Sequence, residues 1–210
     1  MMMRRISFLV LVLVMGCGGG KATTNAPPAP ATNTPPPVLA GQTVMVFPVQ
    51  RGYVPVADAT QQHYAIDTGK LDAEIAYWLP QMGNAKWILP ATIQRSITRS
   101  PTLGVDMNNL SVGVFQRAQV KRIGDPLFGD LRKLAAVHDA TIALIPVAAE
   151  NIGTTPATAR TQIATAVINA MDGTVIWFGV LEGEDPEARG DASIASAAQT
   201  FARKLSGKRN

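Results

Sequence analysis

The side chains that most often carry chemistry are scarce in this chain, which has 210 residues but only one cysteine and two histidines. His63 lies in a polar stretch that predicts a surface loop. His138 follows an amphipathic segment, where it is expected to bond the carbonyls at a helix end. The spacings of serine-hydrolase, zinc-protease, P-loop and dinucleotide-binding motifs are all missing from the sequence. We therefore expect a protein that is not an enzyme and that holds no cofactor and no metal.

Carboxylates offer two weaker candidates for a site. Four acidic residues between positions 182 and 187 supply the oxygen ligands that calcium prefers. That segment lacks the Asp/Asn–Gly alternation of calcium-binding loops, which favours a solvated acidic loop. Asp72 and Glu74 lie on opposite faces of a predicted helix, so they do not form the carboxylate pair that glycoside cleavage needs.

Basic and aromatic side chains supply the candidates for partner binding. Arg95 and Arg99 are four residues apart and therefore share one face of a helix. Tyr77 neighbours the core position Trp78 and should point away from the core, while Tyr53 is a second candidate anchor. The basic residues occur without interleaved aromatics, so nucleic-acid binding is not expected. An anionic partner in the cell envelope, such as peptidoglycan or lipid headgroups, stays open.

The single cysteine stands at the end of a segment typical of export signals. Two arginines precede an apolar run over residues 6–15, which is shorter than the roughly 20 residues of a membrane-spanning helix. The sequence Val14-Met15-Gly16-Cys17 resembles the bacterial lipobox, in which an apolar residue at −3 and a small residue at −1 precede the cysteine. The resemblance implies cleavage after Gly16, diacylation of the Cys17 sulfur and acylation of the new amino terminus. The alternative is an ordinary signal peptide with an incidental cysteine.

Three segments follow from this pattern. Residues 1–16 are predicted to be the lipoprotein signal peptide, and residues 17–41 the lipidated cysteine with a tether that contains six prolines. Residues 42–210 are predicted to form a single globular periplasmic domain. Gly18 at +2 is not the aspartate that retains lipoproteins in the inner membrane of many enteric bacteria. In a two-membrane cell we therefore expect an outer-membrane lipoprotein that faces the periplasm.

The domain shows an alternation of strand and helix patterns. Strands are predicted at 43–49, 86–89, 140–148, 161–171 and 174–181. Helices are predicted around 71–79 (ended by Pro80), at 91–99, from Pro126 with Asp125 as cap, and after Asp191 as cap. Only residues 101–124 give no clear pattern beyond a short strand or helical turn near 112–120. The predicted order is β-α-β-α, an uncertain link, then α-β-β-β-α. This order predicts an α+β fold with a mixed sheet flanked by helices, a carboxyl-terminal hairpin and a terminal helix.

Two stretches carry a further resemblance. One is the helix that runs into His138-Asp139-Ala140 and an apolar strand, and the other is the strand that closes on the Asp172-Gly173 turn and Trp177. Together they are similar to a family of periplasmic α/β domains found in curli-secretion lipoproteins, in lipoprotein activators of penicillin-binding proteins and in the amino-terminal domain of the Tol–Pal propeller protein.

The family resemblance implies a membrane-anchored interaction module in envelope assembly or maintenance, with an envelope protein or a peptidoglycan-assembly enzyme as partner. Such a module would bind its partner and regulate it without catalysing a reaction. The alternative is a structural subunit of an oligomeric secretion or envelope complex. The sequence shows no long amphipathic hairpin beyond the core strands, which disfavours a pore.

Overall fold

A computed structural model describes residues 34–52, 54, 60–116 and 120–207 of the chain. The predicted cleavage site at Gly16 and Cys17 lies outside these ranges, and so does Tyr53.

Six strands form one mixed sheet in the described part of the chain. They are β1 (Thr43–Val46), β2 (Gln62–Tyr64), β3 (Lys86–Ile88), β4 (Ile142–Gly153), β5 (Arg160–Asn169) and β6 (Val175–Glu182). The order across the sheet is β3-β1-β4-β5-β6, and β2 pairs antiparallel with the last residues of β4. Strand β1 is parallel to both neighbours, whereas β4, β5 and β6 form an antiparallel meander. The predicted α+β fold is confirmed.

Within the described ranges, four helices cover the two faces of this sheet: α1 (Thr68–Met82), α2 (Pro90–Arg99), α3 (Leu127–His138) and α4 (Asp191–Ser206). Helices α1 and α4 pack on one face, where Leu71 and Phe201 join a core cluster with Val44 of β1. Helices α2 and α3 pack on the other face, where Ile93 and Leu131 meet Met45 in a second cluster. Because successive side chains of β1 point to opposite faces of the sheet, this strand contributes to both apolar clusters.

Several predicted boundaries were wrong, and each error has a local cause. Strand β1 stops at Val46 because Pro48, which has no amide hydrogen, interrupts the ladder, although the amide of Phe47 still donates to the carbonyl of Leu144 at 3.0 Å. Helix α1 does not end at Pro80 but continues to Met82, and the extended backbone of Gly83 ends it. The exposed position of Pro80 keeps its ring outside the packed face.

The starts of two helices were also misplaced, each by a residue. Helix α3 begins after Pro126, and the Asp125 Oδ1 accepts a hydrogen bond from the amide of Gly129 at 3.0 Å. Helix α4 begins at Asp191 itself, so this carboxylate lies in the first turn, where it complements the helix dipole. The described residues of the unclear stretch 101–124 include two short 3-10 turns, Pro101–Leu103 and Val112–Gln116.

The strand registers define two opposite ends of the sheet. At one end, Thr43 pairs with Lys86, Ile142 with Asn169, and Ile168 with Val175. Residues 34–41, which belong to the predicted tether, pack here: the Leu39 amide donates to the carbonyl of Leu205 at 2.8 Å, and Leu39 is 3% exposed. We call this the tether end. The opposite end, where β1 ends and β4 meets β2, is the far end.

Candidate functional site

The structure separates the residues predicted to bind a partner. Tyr77 lies on α1 and is 60% exposed, as predicted, with its ring edge-on to Trp78 at a centroid distance of 5.2 Å. Arg95 and Arg99 lie on α2, which packs on the opposite face of the sheet. Tyr77 and the two arginines therefore belong to two different surfaces.

The two arginines share the exposed side of α2, while Ile93 on the other side enters the core. The Arg95 guanidinium donates to the Thr92 hydroxyl at 3.0 Å and to the Ala91 carbonyl at 3.3 Å. Neither arginine forms an ion pair within the described residues. Both positive charges are thus held at the surface without a carboxylate of the described chain to neutralise them.

The cations on the α1/α4 face, unlike the arginines of α2, form ion pairs within the domain. Lys70 of α1 pairs with Asp191 of α4, and Arg203 pairs with Glu184. The hydrogen bond from Arg203, helped by its charge and that of Lys204, lowers the pKa of Glu184 despite some desolvation. The charges of Lys70 and Arg203 are thus already neutralised by carboxylates of the domain. Arg95 and Arg99 of α2 have no such partner among the described residues and can bind an external anion.

A buried side-chain amide links two loops by hydrogen bonds at the far end of the sheet. Gln50 is 4% exposed and donates through Nε2 to the carbonyls of Pro48 at 2.7 Å and Met107 at 3.0 Å. Its Oε1 accepts from the Leu110 amide at 2.8 Å. One side chain thereby joins the loop after β1 to the loop that follows the first 3-10 turn.

His63 was wrongly predicted to lie in a surface loop, since it belongs to β2 and its Nδ1 lies 2.6 Å from the Glu150 Oε2. The same carboxylate oxygen accepts from the Val54 amide at 3.2 Å. The prediction failed because β2 has only three residues and no apolar run, so its pairing with β4 left no signal in the sequence. Glu150 holds β2 and Val54 together at the far end.

Asp72, considered above only as half of a carboxylate pair with Glu74, proves to be a partly buried titratable group. Its Oδ1 accepts from the Val49 amide at 2.9 Å, next to the end of β1. Burial raises the pKa of Asp72 from 3.8 to about 6, although the bond from Val49 acts in the opposite direction. Glu74 accepts instead from the Trp78 indole at 3.2 Å. The one available signal was the position of Asp72 directly after the core residue Leu71.

His138 was expected to bond the carbonyls at a helix end, and it is the last residue of α3. Its Nε2 is buried and has no hydrogen-bond partner in the described structure. Burial, with a smaller effect from Lys86, lowers the pKa of His138. In the acidic segment, Glu182 pairs with Arg160 at 2.5 Å and Glu184 with Arg203. Among the described residues, no three His, Cys, Asp or Glu side chains come together as metal ligands would.

The helices of the described ranges are all too short or too polar to cross a bilayer. Comparisons with protein-family models, with curated proteins and with solved structures found no match for this chain.

Proposed function

We propose that the protein is a lipid-anchored component of the cell envelope whose folded domain binds a partner protein without catalysing a reaction. The observation that carries the proposal is the pair of exposed arginines on α2, which the described chain leaves without carboxylate partners. The partner class favoured by the family resemblance is an envelope protein, in particular an enzyme of peptidoglycan assembly, which the domain would regulate.

Support for the anchor comes from Cys17 and from the way the chain enters the domain. The four residues that end at Cys17 resemble the lipobox, with Met15 at −2 as a minor departure, and Gly18 favours the outer membrane. The chain then reaches Thr34, whose carbonyl accepts from the Trp177 indole at 2.9 Å, and Leu39, which is buried. An anchor at Cys17 is therefore connected to the domain at the tether end of the sheet.

Support for the binding surface comes from geometry and charge. A guanidinium presents several donors in one plane and matches a carboxylate, so two such groups one helical turn apart suit a partner segment with two acidic side chains. A face whose cations are unpaired can gain ion pairs on binding without breaking existing ones. On the α1/α4 face, Lys70 and Arg203 would first have to release Asp191 and Glu184.

The test is crosslinking in intact cells followed by purification of the full chain and identification of what is attached. We expect Arg95→Glu/Arg99→Glu to lose a partner that the wild type captures, because repulsion replaces attraction at both positions. Arg95→Lys/Arg99→Lys should keep part of the capture, since charge is retained and the planar donor pattern is lost.

Two control variants localise the effect. Arg51→Glu/Lys86→Glu makes the same change in net charge at exposed cations outside α2, and Tyr77→Ala removes the exposed aromatic of the other face. Equal capture by all variants would reject the α2 surface. A wild type that captures no reproducible partner would reject the binding function itself, and a ring-sized oligomer in light scattering would favour the structural subunit instead.

A further inference from the structure

The tether end of the domain carries an apolar surface that the proposed function leaves unexplained. Five large apolar side chains are exposed in the described chain, and four of them lie at or beside this end. They are Val38 (59% exposed), Val137 (49%), Met171 (56%) and Ile176 (44%). The fifth is Tyr77 on α1. We propose that this end of the domain rests on the phospholipid surface to which Cys17 is anchored, an inference that depends on the proposed function.

The backbone pairing brings these side chains to one end of the sheet. Met171 lies in the turn between β5 and β6, and Ile176 lies at the start of β6, in the irregular part of its pairing with β5. Val137 is the next-to-last residue of α3, and the chain turns after this helix to enter β4. In that turn, the Thr141 amide donates to the carbonyl of Thr43, the first residue of β1, at 3.3 Å, which places the turn at the tether end. Val38 contacts the region of Gly207 at the end of α4.

Cations accompany the apolar side chains. Lys121 and Arg122 lie beside the start of β6. The Val175 amide donates to the Lys121 carbonyl at 2.9 Å, and the backbone of Arg122 forms an isolated antiparallel β-bridge with Thr174. Neither forms an ion pair within the described residues. The acid of the nearby turn, Asp172, already accepts from the Thr174 amide at 2.8 Å. Apolar side chains flanked by lysine and arginine are typical of a surface that lies in the lipid headgroup region.

The length of the tether and the point where it enters the domain favour a phospholipid bilayer as the structure that covers this surface. Thr34 lines a groove of about 280 Å³ together with Lys121 and residues 175–178, so the chain enters the domain beside Ile176. Sixteen residues separate Cys17 from Thr34, and a chain of this length spans at most about 60 Å when fully extended. The lipid anchor thus holds this end within that reach of the membrane, where even a weak contact is favoured by the high effective concentration.

The test uses the full lipidated chain in vesicles of phosphatidylethanolamine and phosphatidylglycerol that contain a lipid with a quencher on its headgroup. Single cysteines replace Met171, Ile176 or Tyr77 and carry the same polarity-sensitive fluorophore. Labelling is specific because the natural sequence has one cysteine, whose sulfur is blocked by lipidation. We expect quenching at positions 171 and 176 to exceed that at 77 by about twofold or more, since a headgroup contact brings them within ~5–10 Å of the quencher.

A second variant tests the surface as a whole. With the reporter at Val137→Cys, the added substitutions Met171→Glu/Ile176→Glu should reduce quenching to the level of Tyr77→Cys, because carboxylates are repelled by the anionic lipid and cost free energy at the interface. Equal quenching at all four positions in protein that co-sediments with the vesicles overturns the inference and leaves the anchor intact. A chain that has a free Cys17 thiol and fails to co-sediment overturns the anchor and this inference together.

Discussion

The two ends of the sheet use their polar and apolar groups in opposite ways. At the far end, the amide of Gln50, the carboxylate of Glu150 and the carboxylate of Asp72 all bind backbone amides or carbonyls of their own domain. At the tether end, Met171 and Ile176 expose about half of their surface to solvent. Lys121 there has no ion pair in the described structure.

The difference indicates which end is complete by itself. Polar groups that bind each other across loops stabilise the fold and leave little for a partner, because a ligand would have to replace those bonds. Apolar side chains left in water gain free energy when another surface covers them. The far end therefore acts in stability, whereas the tether end and the arginines of α2 are the surfaces that we propose contact the membrane and a partner.

The largest effect should come from removing the far-end amide with Gln50→Leu. This change leaves two buried carbonyls and one buried amide without their partner, and we expect it to lower the free energy of unfolding by about 3 kcal/mol. Urea unfolding followed by circular dichroism measures the change. The control Gln81→Leu, at an exposed residue of α1 that donates only to the carbonyl of Tyr77, should change stability by less than about 0.5 kcal/mol. Equal losses in both variants would contradict the role of Gln50.

At the tether end, we expect Gly173→Ala to cost about 2 kcal/mol, because the glycine has a positive φ and an added Cβ strains it. Its φ is 77°, and the new Cβ would lie 3.1 Å from the Ile123 carbonyl oxygen. Gly124→Ala is the matched control, since a Cβ there meets no atom within 4 Å. Thermal unfolding of the two variants compares them directly, and a Gly173→Ala protein as stable as the control would show that the turn is not constrained as described.

A smaller effect, visible as a pH dependence, should come from Asp72. The pKa of its carboxyl is about 6 in the folded protein and near 3.8 when it is exposed, so the folded chain binds more protons between these values. The free energy of unfolding should therefore fall as the pH rises from about 4 to about 6, and level off above that range. Asp72→Asn should remove this part of the profile. If wild type and variant give parallel profiles from pH 4 to pH 7, Asp72 does not titrate as described.

The smallest change should follow Trp177→Phe, which removes the indole that donates to the Thr34 carbonyl and keeps an aromatic ring in the core. One hydrogen bond contributes about 1 kcal/mol or less. Amide hydrogen exchange provides the sharper readout, because the Leu39 amide should exchange faster if residues 34–41 are released. Unchanged exchange at Leu39 would show that its bond to Leu205 alone holds this segment.

Much of the fold was predictable because its elements have strong periodic signals. The apolar stripe of α4, which includes Ile194, Phe201 and Leu205, gave a helix that the structure confirms nearly to the residue. The Asp172-Gly173 turn was predicted from residue type, and the φ of 77° at Gly173 agrees. Local chemistry dictates these features, so the sequence contains the information.

The far-end network was not predictable, because tertiary packing creates it. Gln50 and Leu110 are 60 residues apart, and His63 and Glu150 are 87 residues apart, so no spacing rule connects them. The raised pKa of Asp72 depends on its burial in the folded domain, which helical spacing alone does not reveal. For the proposed partner surface, a sequence pattern placed Arg95 and Arg99 on one helical face, but only the sheet topology shows that Tyr77 lies on the other side.

The lipid anchor on Cys17 is the central claim, and fractionation of cells that express the wild type or Cys17→Ala tests it most directly. We expect the wild type in the membrane fraction and Cys17→Ala in the soluble fraction after a high-salt wash, because the proposed contacts of the tether end with lipid are too weak to hold the domain without acyl chains. Mass spectrometry of the wild-type amino terminus should find an acylated Cys17. A Cys17→Ala protein that stays in the washed membranes as fully as the wild type would contradict the account.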